Sequence, residues 1–260
     1  METEILYTRH EEAGCKWAEI TLNRPDKGNA LNRGMVERLG ELAGEIAADG
    51  AVRVVVLRGR GRFFSTGGDI AAWGALTPEE MRRDWILPGI DAFERIAGLP
   101  QPVIAAINGH ALGGGLELAL AADLRVAVRQ AKLGAPEVTL GMISGWGGVR
   151  HLAEAVGTAR AAEMTLVGAP VEAEMALQWG LVNAVVEDEA AMERQVGEWV
   201  SKLCGNAPIA MKLTKKLLAT MHADLRHQHA EAAAEALGTE DCQEGVRAFR
   251  EKRKPVFGNR

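Results

Sequence analysis

The 260-residue sequence has few cysteines and no long apolar run, and both absences exclude whole classes of protein. Its three cysteines, Cys15, Cys204 and Cys242, are widely spaced and follow no metal-ligand pattern, so we expect neither a disulfide framework nor a zinc site. No apolar stretch is long enough to cross a bilayer, and the acidic residues 1–4 are unlike a secretory or mitochondrial presequence. These features are typical of a protein in a reducing, cytoplasmic setting.

An excess of positive charge is also missing. The formal net charge is −5, which provides no general attraction to nucleic acid or to an anionic membrane, although residues 247–254 are locally basic. We therefore expect no nucleic-acid or membrane partner. The chain length and a hydrophobic content of 47% are sufficient for one large core, or for a domain with an appendage.

The common catalytic motifs are absent as well. The chain has no Walker glycine–lysine loop, no G-x-G-x-x-G, no H-E-x-x-H and no G-x-S-x-G, which removes the usual nucleotide-binding, zinc-protease and serine-hydrolase interpretations. His222, His227 and His229 share one helical stretch, where a solvated helix face is a simpler interpretation than a metal site. We expect no metal ion and no redox cofactor.

A strand, a glycine turn and a helix form the most informative stretch. The apolar, β-branched residues 103–107 predict a buried strand, and Gly113-Gly114-Gly115 then open an apolar helix that contains Glu117. Consecutive glycines are tolerated where another group approaches the backbone closely. A helix N-terminus presents unpaired N–H groups that suit a phosphate, a carboxylate or a developing oxyanion. On this stretch alone, Glu117 could equally serve only to complement the helix dipole.

A second glycine turn and a second glutamate complete the candidate site. Gly67 and Gly68 follow a short apolar piece, and two converging backbone N–H donors are what an oxyanion needs for stabilisation. Glu117 and Glu137 are both flanked by apolar residues or proline. Burial there would raise their pKa values into the range of a working acid or base.

Hydrophobic periodicity predicts an α/β architecture with a parallel or mixed sheet. The predicted strands are 5–9, 17–22, 52–57, 103–107, 124–128 and 182–186. The predicted helices are 32–48 with Asn32 as its cap, 78–97 with a break at 87–89, the helix that follows residue 113, three short helices between 149 and 178, and a long helix from 206 to 237. We divide the chain into a core of residues 1–199 and a helical region of residues 200–260 that packs on another subunit or on the core.

Three segments resemble the motifs of the crotonase (enoyl-CoA hydratase/isomerase) superfamily: residues 63–69, 108–118 and 134–148. The likeness runs from residues 22–25 almost to the end of the chain. It implies a spiral of repeated ββα units, with the C-terminal helical region joining subunits into trimers that stack as hexamers. It also implies an acyl-CoA substrate whose thioester oxygen is held by the N–H groups of Gly68 and Gly114, with Glu117 and Glu137 as acid and base. Because isomerases and other members usually keep only one of these carboxylates, the pair favours hydration of a trans-2-enoyl-CoA.

The resemblance also implies which residues meet the substrate. The expected contacts to the CoA and acyl parts are Lys27, Ala30, Arg62, Thr66, Gly67, Ile70, Trp146 and Lys252. Lys252 would approach the 3′-phosphate from its own or a neighbouring subunit, and CoA is part of the substrate rather than a cofactor. Ser144 stands where many relatives have proline, so the nearby Trp146 could narrow the acyl pocket, accept an aromatic acyl group or simply pack in the core.

Enoyl-CoA hydratase, a lyase, is therefore the leading hypothesis. One alternative is an enoyl-CoA isomerase, or a hydro-lyase that acts on an unusual or aromatic acyl-CoA. Another is a catalytically silent relative that binds RNA through its basic tail. The two apolar-flanked glutamates beside two glycine turns argue against a purely binding role, which would not need them.

Overall fold

The computed structural model describes residues 3–12, 14–206, 208–219, 233–234, 237–253 and 255. The described strands are β1 (Ile5–Glu12), β2 (Cys15–Leu22), β3 (Val54–Gly59), β4 (Phe63–Ser65), β5 (Val103–Ile107), β6 (His110–Leu112), β7 (Leu124–Val128), β8 (Lys132–Gly134), β9 (Val171–Glu172) and β10 (Ala184–Val186). The described α-helices are α1 (Arg33–Ala48), α2 (Ile70–Trp73), α3 (Pro78–Glu80), α4 (Leu87–Ala97), α5 (Gly114–Leu120), α6 (Gly148–Val156), α7 (Thr158–Ala162), α8 (Ala173–Gln178), α9 (Glu189–Gly205), α10 (Pro208–Ala219) and α11 (Glu240–Arg250). Two π-helical segments, Met81–Ile86 and Glu163–Val167, continue α3 and α7.

The strands form two sheets. The larger has six strands in the order β1-β2-β3-β5-β7-β10, and the smaller has four in the order β4-β6-β8-β9. In the larger sheet only the β1–β2 hairpin is antiparallel, whereas β2, β3, β5, β7 and β10 pair in parallel. The predicted hairpin and the predicted parallel sheet are both present.

A repeated unit links the two sheets. Strands β3, β5 and β7 are each followed after a short turn by one strand of the smaller sheet, and each of these pairs is followed by helix before the next unit begins. The chain therefore winds through successive ββα units, as predicted from the resemblance. The three-residue strands β4, β6 and β8 were missing from the prediction, because a strand of that length leaves no readable periodicity.

The core lies between the larger sheet and the helices that cover it. β3 and β5 are almost completely buried, which agrees with their continuous β-branched and apolar sequences. Helix α1 begins where predicted, because the Asn32 side chain accepts a hydrogen bond from the N–H of Met35, 2.9 Å away. The expected break at residues 87–89 is absent, because the π-helical segment Met81–Ile86 runs directly into α4, with Pro88 near the start of α4.

The C-terminal helices pack onto this core. Helix α9 includes residue 200, so the division between residues 1–199 and 200–260 is not marked by a break in the chain and stays a prediction. Helix α10 begins at Pro208, close to the predicted start, and residues 220–232 of the predicted long helix, with His222, His227 and His229, lie outside the described residues. Lys215 anchors α10, because its ammonium group donates to the carboxylate of Asp123 at 2.6 Å and to the carbonyl of Gln101 at 2.8 Å.

Two of the three cysteines are paired, contrary to our expectation from their spacing. Cys15 at the start of β2 and Cys204 near the end of α9 form a disulfide that joins positions 189 residues apart, with their Cα atoms 5.8 Å from each other. Cys242 is free and buried. Spacing along the chain could not predict this pair, because the packing of α9 on β2 brings the two residues together. No helix among the described residues is long and apolar enough to cross a membrane.

Candidate active site

Among the described residues the N–H group of Gly68 has no acceptor, because of the way its turn pairs with the rest of the chain. Leu31 pairs in parallel with Gly68: its N–H donates to the carbonyl of Gly67 at 2.8 Å, and its carbonyl accepts from the N–H of Asp69 at 2.8 Å. In a parallel ladder the residue between two such bonds directs its own N–H to the opposite side. Gly68 lines a cavity on that side.

The N–H group of Gly114 likewise has no acceptor in the described part of the chain, because this residue opens a helix. Gly113 precedes it with a φ of 53°, in the region that favours glycine, and donates its own N–H to the carbonyl of Gly134 at 2.9 Å. As the first residue of α5, Gly114 has no helical carbonyl to which its N–H could donate. A Cβ atom on Gly114 would lie 3.3 Å from the nitrogen of Gly68, so the two turns are in direct contact.

One cavity of about 100 Å³ brings both turns and both glutamates together. Its lining consists of Thr66, Gly67, Gly68, Ile70, Trp73, Trp85, Ile86, Gly113, Gly114, Glu117, Pro136, Glu137, Leu140, Met142, Ile143, Gly145 and Trp146. Apart from the two carboxylates and the exposed glycine backbone, this lining is mostly apolar. The cavity therefore offers charge and hydrogen bonding at only a few positions.

Glu117 lies in the first turn of α5 and is only 4% exposed. Its Oε1 atom accepts hydrogen bonds from the backbone N–H groups of Trp146 and Gly148, at 2.8 and 2.7 Å. Residue 148 must be glycine, because a Cβ atom there would overlap Cγ of Glu117. Burial and, next, the nearby charge of Glu137 raise the pKa of Glu117 to about 8, and the two N–H donors offset only part of that rise.

Glu137 faces the same cavity from the start of a short 3-10 turn, Glu137–Leu140. A Cβ atom on Gly113 would lie 3.1 Å from its Oε1, so the carboxylate lies against the glycine turn. Both carboxylate oxygens are buried, and neither forms a well-aligned hydrogen bond within the described part of the chain. Burial raises the pKa of Glu137 to about 7, while its own N–H and the Ser144 hydroxyl oppose the rise.

Three tryptophans surround the Gly68 turn. A Cβ atom on Gly68 would lie 3.1 Å from Trp85, 3.4 Å from Trp73 and 3.6 Å from Trp146. Trp146 was a candidate from its motif, whereas Trp73 and Trp85 were missed. Both follow the Gly67–Gly68 turn on helical segments, and helical periodicity alone does not say which buried side chains face a cavity and which face the core.

The predicted substrate residues separate into two groups. Thr66, Gly67, Ile70 and Trp146 line the cavity, and Lys27, Ala30, Arg62 and Lys252 do not. The loop that contains Lys27 and Ala30 nevertheless lies beside the cavity, because the carbonyl of Gly28 accepts from the N–H of Thr66 at 3.0 Å. The exposed Arg62 guanidinium lies over the Phe63 ring, 5.4 Å from its centroid.

Arg24 was not predicted, and it joins this loop to the Gly68 turn. Its Nη1 atom donates to the carbonyl of Ala30 at 2.6 Å and to the carboxylate of Asp69 at 3.0 Å. Asp69 also caps α2 by accepting from the N–H of Ala71. Among the described residues, no group of three or more histidine, cysteine, aspartate or glutamate side chains could hold a metal ion.

Sequence similarity extends over nearly the whole chain. Residues 12–260 match the family described as enoyl-CoA hydratase/isomerase. A probable enoyl-CoA hydratase from Bacillus subtilis is 38% identical over 244 residues, which cover 92% of this chain and 94% of that protein. A short-chain-enoyl-CoA hydratase from Clostridium acetobutylicum is 40% identical over 244 residues, which cover 92% and 93% of the two chains.

Solved structures show the same architecture. An enoyl-CoA hydratase from Bacillus anthracis superposes with a TM-score of 0.79 at 35% identity, over 99% of this chain and 100% of that one. A carnitinyl-CoA hydratase from Mycobacterium avium superposes with a TM-score of 0.83 at 34% identity, over 98% of both chains.

Proposed function

Because the chain belongs to the enoyl-CoA hydratase/isomerase family, we propose that it is an enoyl-CoA hydratase, a hydro-lyase that adds water across the double bond of a trans-2-enoyl-CoA thioester. Members of the crotonase fold act on acyl-CoA thioesters, and the relatives at 38% and 40% identity are named as hydratases. The observation that carries the proposal is the arrangement of Glu117 and Glu137, which face the cavity that also contains the free N–H groups of Gly68 and Gly114.

The two glycine N–H groups form the oxyanion hole of this proposal. They would donate to the thioester carbonyl oxygen, which gains negative charge as the β-carbon is attacked. Fixed backbone donors in a largely apolar cavity stabilise such charge strongly, because they need no reorganisation when it develops. The same polarisation makes the β-carbon electrophilic before the attack.

The two carboxyl groups would exchange protons with water and substrate. In the reactive state one is ionised and the other protonated. The water oxygen bonds to the β-carbon while its proton passes to the ionised carboxylate, and the π electrons form an enolate whose oxygen the glycine N–H groups hold. The α-carbon then takes the proton of the other carboxyl group, so the pair ends with the single proton it began with. We propose that both groups act on the same face of the double bond, so that the addition is syn.

The CoA part would lie along the loop that Arg24 ties to the Gly68 turn. Lys27, Arg62 and Lys252 are exposed cations suited to the phosphates of CoA, while Ala30, Thr66, Gly67 and Ile70 supply backbone and apolar contacts. Replacing Lys27 or Arg62 by methionine should then raise KM with little change in kcat.

We propose that no metal or redox cofactor takes part. Every step of the proposed hydration is a proton transfer or a charge stabilisation that the two glutamates and the two glycine N–H groups can perform.

A panel of thioesters tests the activity. The experiment follows the enoyl absorbance with crotonyl-CoA, a 3-enoyl-CoA and cinnamoyl-CoA as separate substrates. The proposal expects rapid loss of absorbance with crotonyl-CoA. Fast conversion of the 3-enoyl-CoA with no hydration of crotonyl-CoA would instead identify an isomerase, and turnover of cinnamoyl-CoA alone would identify an aromatic hydro-lyase. Binding of RNA without turnover of any thioester would support the silent-relative alternative.

We also propose a homotrimer, or a hexamer of two trimers, joined through the C-terminal helices. Helix α10 supports this, because it leaves Ile209, Leu213 and Leu218 more than half exposed. Sedimentation equilibrium measures the mass directly, and a single-chain mass at micromolar concentration would reject the proposal.

We further propose that the protein is located in the cytoplasm. In that reducing compartment Cys15 and Cys204 would remain thiols, and thiol labelling in intact cells would detect them.

A further inference from the structure

The indole of Trp146 lies where an acyl chain would leave the two glycine turns. A Cβ atom on Gly114 would be 2.6 Å from Cζ3 of this ring, and one on Gly68 would be 3.6 Å from its Cη2. The six-membered part of the ring therefore spans the two residues whose N–H groups are proposed to hold the thioester oxygen. A chain attached to that thioester meets the ring within a few carbons.

The ring is held firmly in this position. Trp146 is 3% exposed, and its Nε1 donates to the carbonyl of Trp85 at 3.1 Å. The rings of Trp85 and Phe93 each lie 5.2 Å from it, one tilted and one edge-on. Gly89 completes the enclosure, because a Cβ atom on that residue would overlap the indole nitrogen.

The volume that remains is small. The cavity measures about 100 Å³, which is less than the roughly 150 Å³ of an apolar cavity that binds benzene. An aromatic acyl group is too large for it, and the Nε1 hydrogen of Trp146 is already used. Of the three roles that the sequence left open for Trp146, this small volume supports a ring that narrows the pocket.

We infer that Trp146 sets the acyl-chain limit of this site, and that the enzyme selects thioesters with short, unbranched acyl groups. This inference rests on the proposed function, because it assumes that the acyl chain of a CoA thioester enters this cavity. It assigns to Trp146 a specificity-determining role that is separate from its backbone N–H, which contacts Glu117. A side-chain substitution therefore changes the shape of the cavity while the backbone hydrogen bond remains.

The experiment compares acyl lengths in the wild type and in Trp146→Leu. Hydration is measured as kcat/KM for enoyl-CoA substrates of four, six, eight and ten carbons, and the readout is the ratio of the eight-carbon to the four-carbon value. The wild-type ratio should be below about one tenth. Each methylene that gains a buried position contributes about fourfold in binding, so Trp146→Leu should raise the ratio by about tenfold or more.

Two further variants keep the result interpretable. Trp146→Phe retains an aromatic core residue and should raise the ratio by a smaller factor, about fourfold, even if Trp146→Leu does not fold. Trp179→Leu is the control, because Trp179 is a partly buried tryptophan that packs against the core but lies outside the cavity. Its length ratio should equal that of the wild type.

Binding of saturated thioesters tests the chain-length inference independently of the proposed hydratase activity. Butyryl-CoA and octanoyl-CoA cannot be hydrated, so calorimetric titration reports the fit of the chain even if the protein hydrates nothing. The wild type should bind butyryl-CoA more tightly, and Trp146→Leu should reverse that order. Equal wild-type affinity or turnover for the four- and eight-carbon chains would overturn the inference. So would a length ratio in folded Trp146→Leu and Trp146→Phe no different from that in Trp179→Leu.

Discussion

Glu117 and Glu137 share one buried cavity, and at the residue scale their protonation states are therefore coupled. Burial acts on both carboxyl groups, and the charge of Glu137 further disfavours ionisation of Glu117. The backbone N–H groups of Trp146 and Gly148 act in the opposite direction and orient one oxygen of Glu117. Near neutral pH this environment favours one proton on the pair, which is the state that the proposed hydration requires.

The first prediction concerns removal of either carboxylate. Glu117→Gln and Glu137→Gln should each lower kcat for crotonyl-CoA by at least about a hundredfold, because each removes an acid or base from a fixed position. The double variant should be little worse than either single one, since groups that act as a unit are not additive. Butyryl-CoA binding should persist in all three, because glutamine has nearly the same shape as glutamate.

The matched control for these variants is Glu154→Gln on α6. Glu154 is exposed, pairs with Arg150 at 3.7 Å and lies outside the cavity, so its loss should leave turnover within about twofold of the wild type. If an active wild type loses only a few fold on substitution of Glu117 or Glu137, their proposed roles are wrong.

The second prediction is the pH dependence of activity. With pKa values of about 7 and 8 in the coupled pair, kcat/KM should be bell-shaped with its maximum between these values. Below about pH 7 both groups are protonated and no base remains, while above about pH 8 both are ionised and no proton remains for the α-carbon. A profile that is flat from pH 6 to pH 9 would contradict this division of roles.

The third prediction links the same shifts to stability. The pKa values of both groups are raised from 4.5, so the folded state binds protons that the unfolded state has already released. Their contribution is complete below about pH 4.5 and is lost as the pH rises through 7 and 8. The urea midpoint of the Glu117→Gln/Glu137→Gln double variant, minus that of the wild type, should therefore increase between pH 5 and pH 9. A constant difference would show that the carboxyl groups are not protonated in the folded protein.

At the scale of elements, an irregular helical segment contributes two side chains to the lining of the cavity. The π-helical segment Met81–Ile86 contains both Trp85 and Ile86, and the helix then continues through Pro88 as α4. A π-helical turn shifts the register of the side chains relative to a regular α-helix. Both residues line the cavity as a result of that local geometry, and Trp85 also fixes the Trp146 indole through its carbonyl.

The fourth prediction uses two glycines that differ only in their surroundings. Gly89→Ala on α4 should lower the free energy of unfolding by about 1–3 kcal/mol, because the added methyl group would overlap the Trp146 indole. Gly44→Ala on α1 adds the same group to open space and should raise it by up to about 1 kcal/mol. Urea denaturation measures both. If Gly89→Ala is as stable as Gly44→Ala, the ring is not enclosed as described.

At the scale of the whole molecule, contacts between distant segments attach the C-terminal helices to the core. Lys215 joins α10 to Asp123 and Gln101, and the Cys15–Cys204 disulfide joins α9 to β2. Helix α11 packs on the Glu137–Leu140 turn, where Gly245 is needed because any Cβ atom would overlap the carbonyl of Leu140. The C-terminal region therefore supports the turn that carries Glu137.

The fifth prediction concerns the disulfide. In oxidised protein the cross-link closes a very long loop, and its loss should lower the free energy of unfolding by about 2–4 kcal/mol. Adding a reductant should therefore lower the urea midpoint of the wild type and leave that of Cys204→Ser unchanged. Cys15 and Cys204 would not be paired in solution if oxidised wild-type protein had the same midpoint with and without reductant.

The sequence by itself determined the elements whose signals are local. The β-branched run of β5, the spacing of apolar residues in α1 and the Asn32 cap all act on neighbours a few residues away, so their structure was predictable. The ordered motifs also identified the family and, through it, proposed Glu117, Glu137, Gly68 and Gly114 as site residues. The short strands β4, β6 and β8 escaped prediction because three residues contain no periodic pattern.

Only the tertiary structure decided the features of the site that depend on how the ββα units stack. Trp73, Trp85 and Trp146 meet around one glycine because two helical segments and the turn before α6 pack against the same place. The pairing of Cys15 with Cys204 across 189 residues has the same origin. The raised pKa values of Glu117 and Glu137 also arise from this packing, because burial and the proximity of two carboxylates are properties of the packed cavity. Patterns within the chain report contacts between near neighbours, whereas the shape and electrostatics of this site arise between residues far apart in sequence.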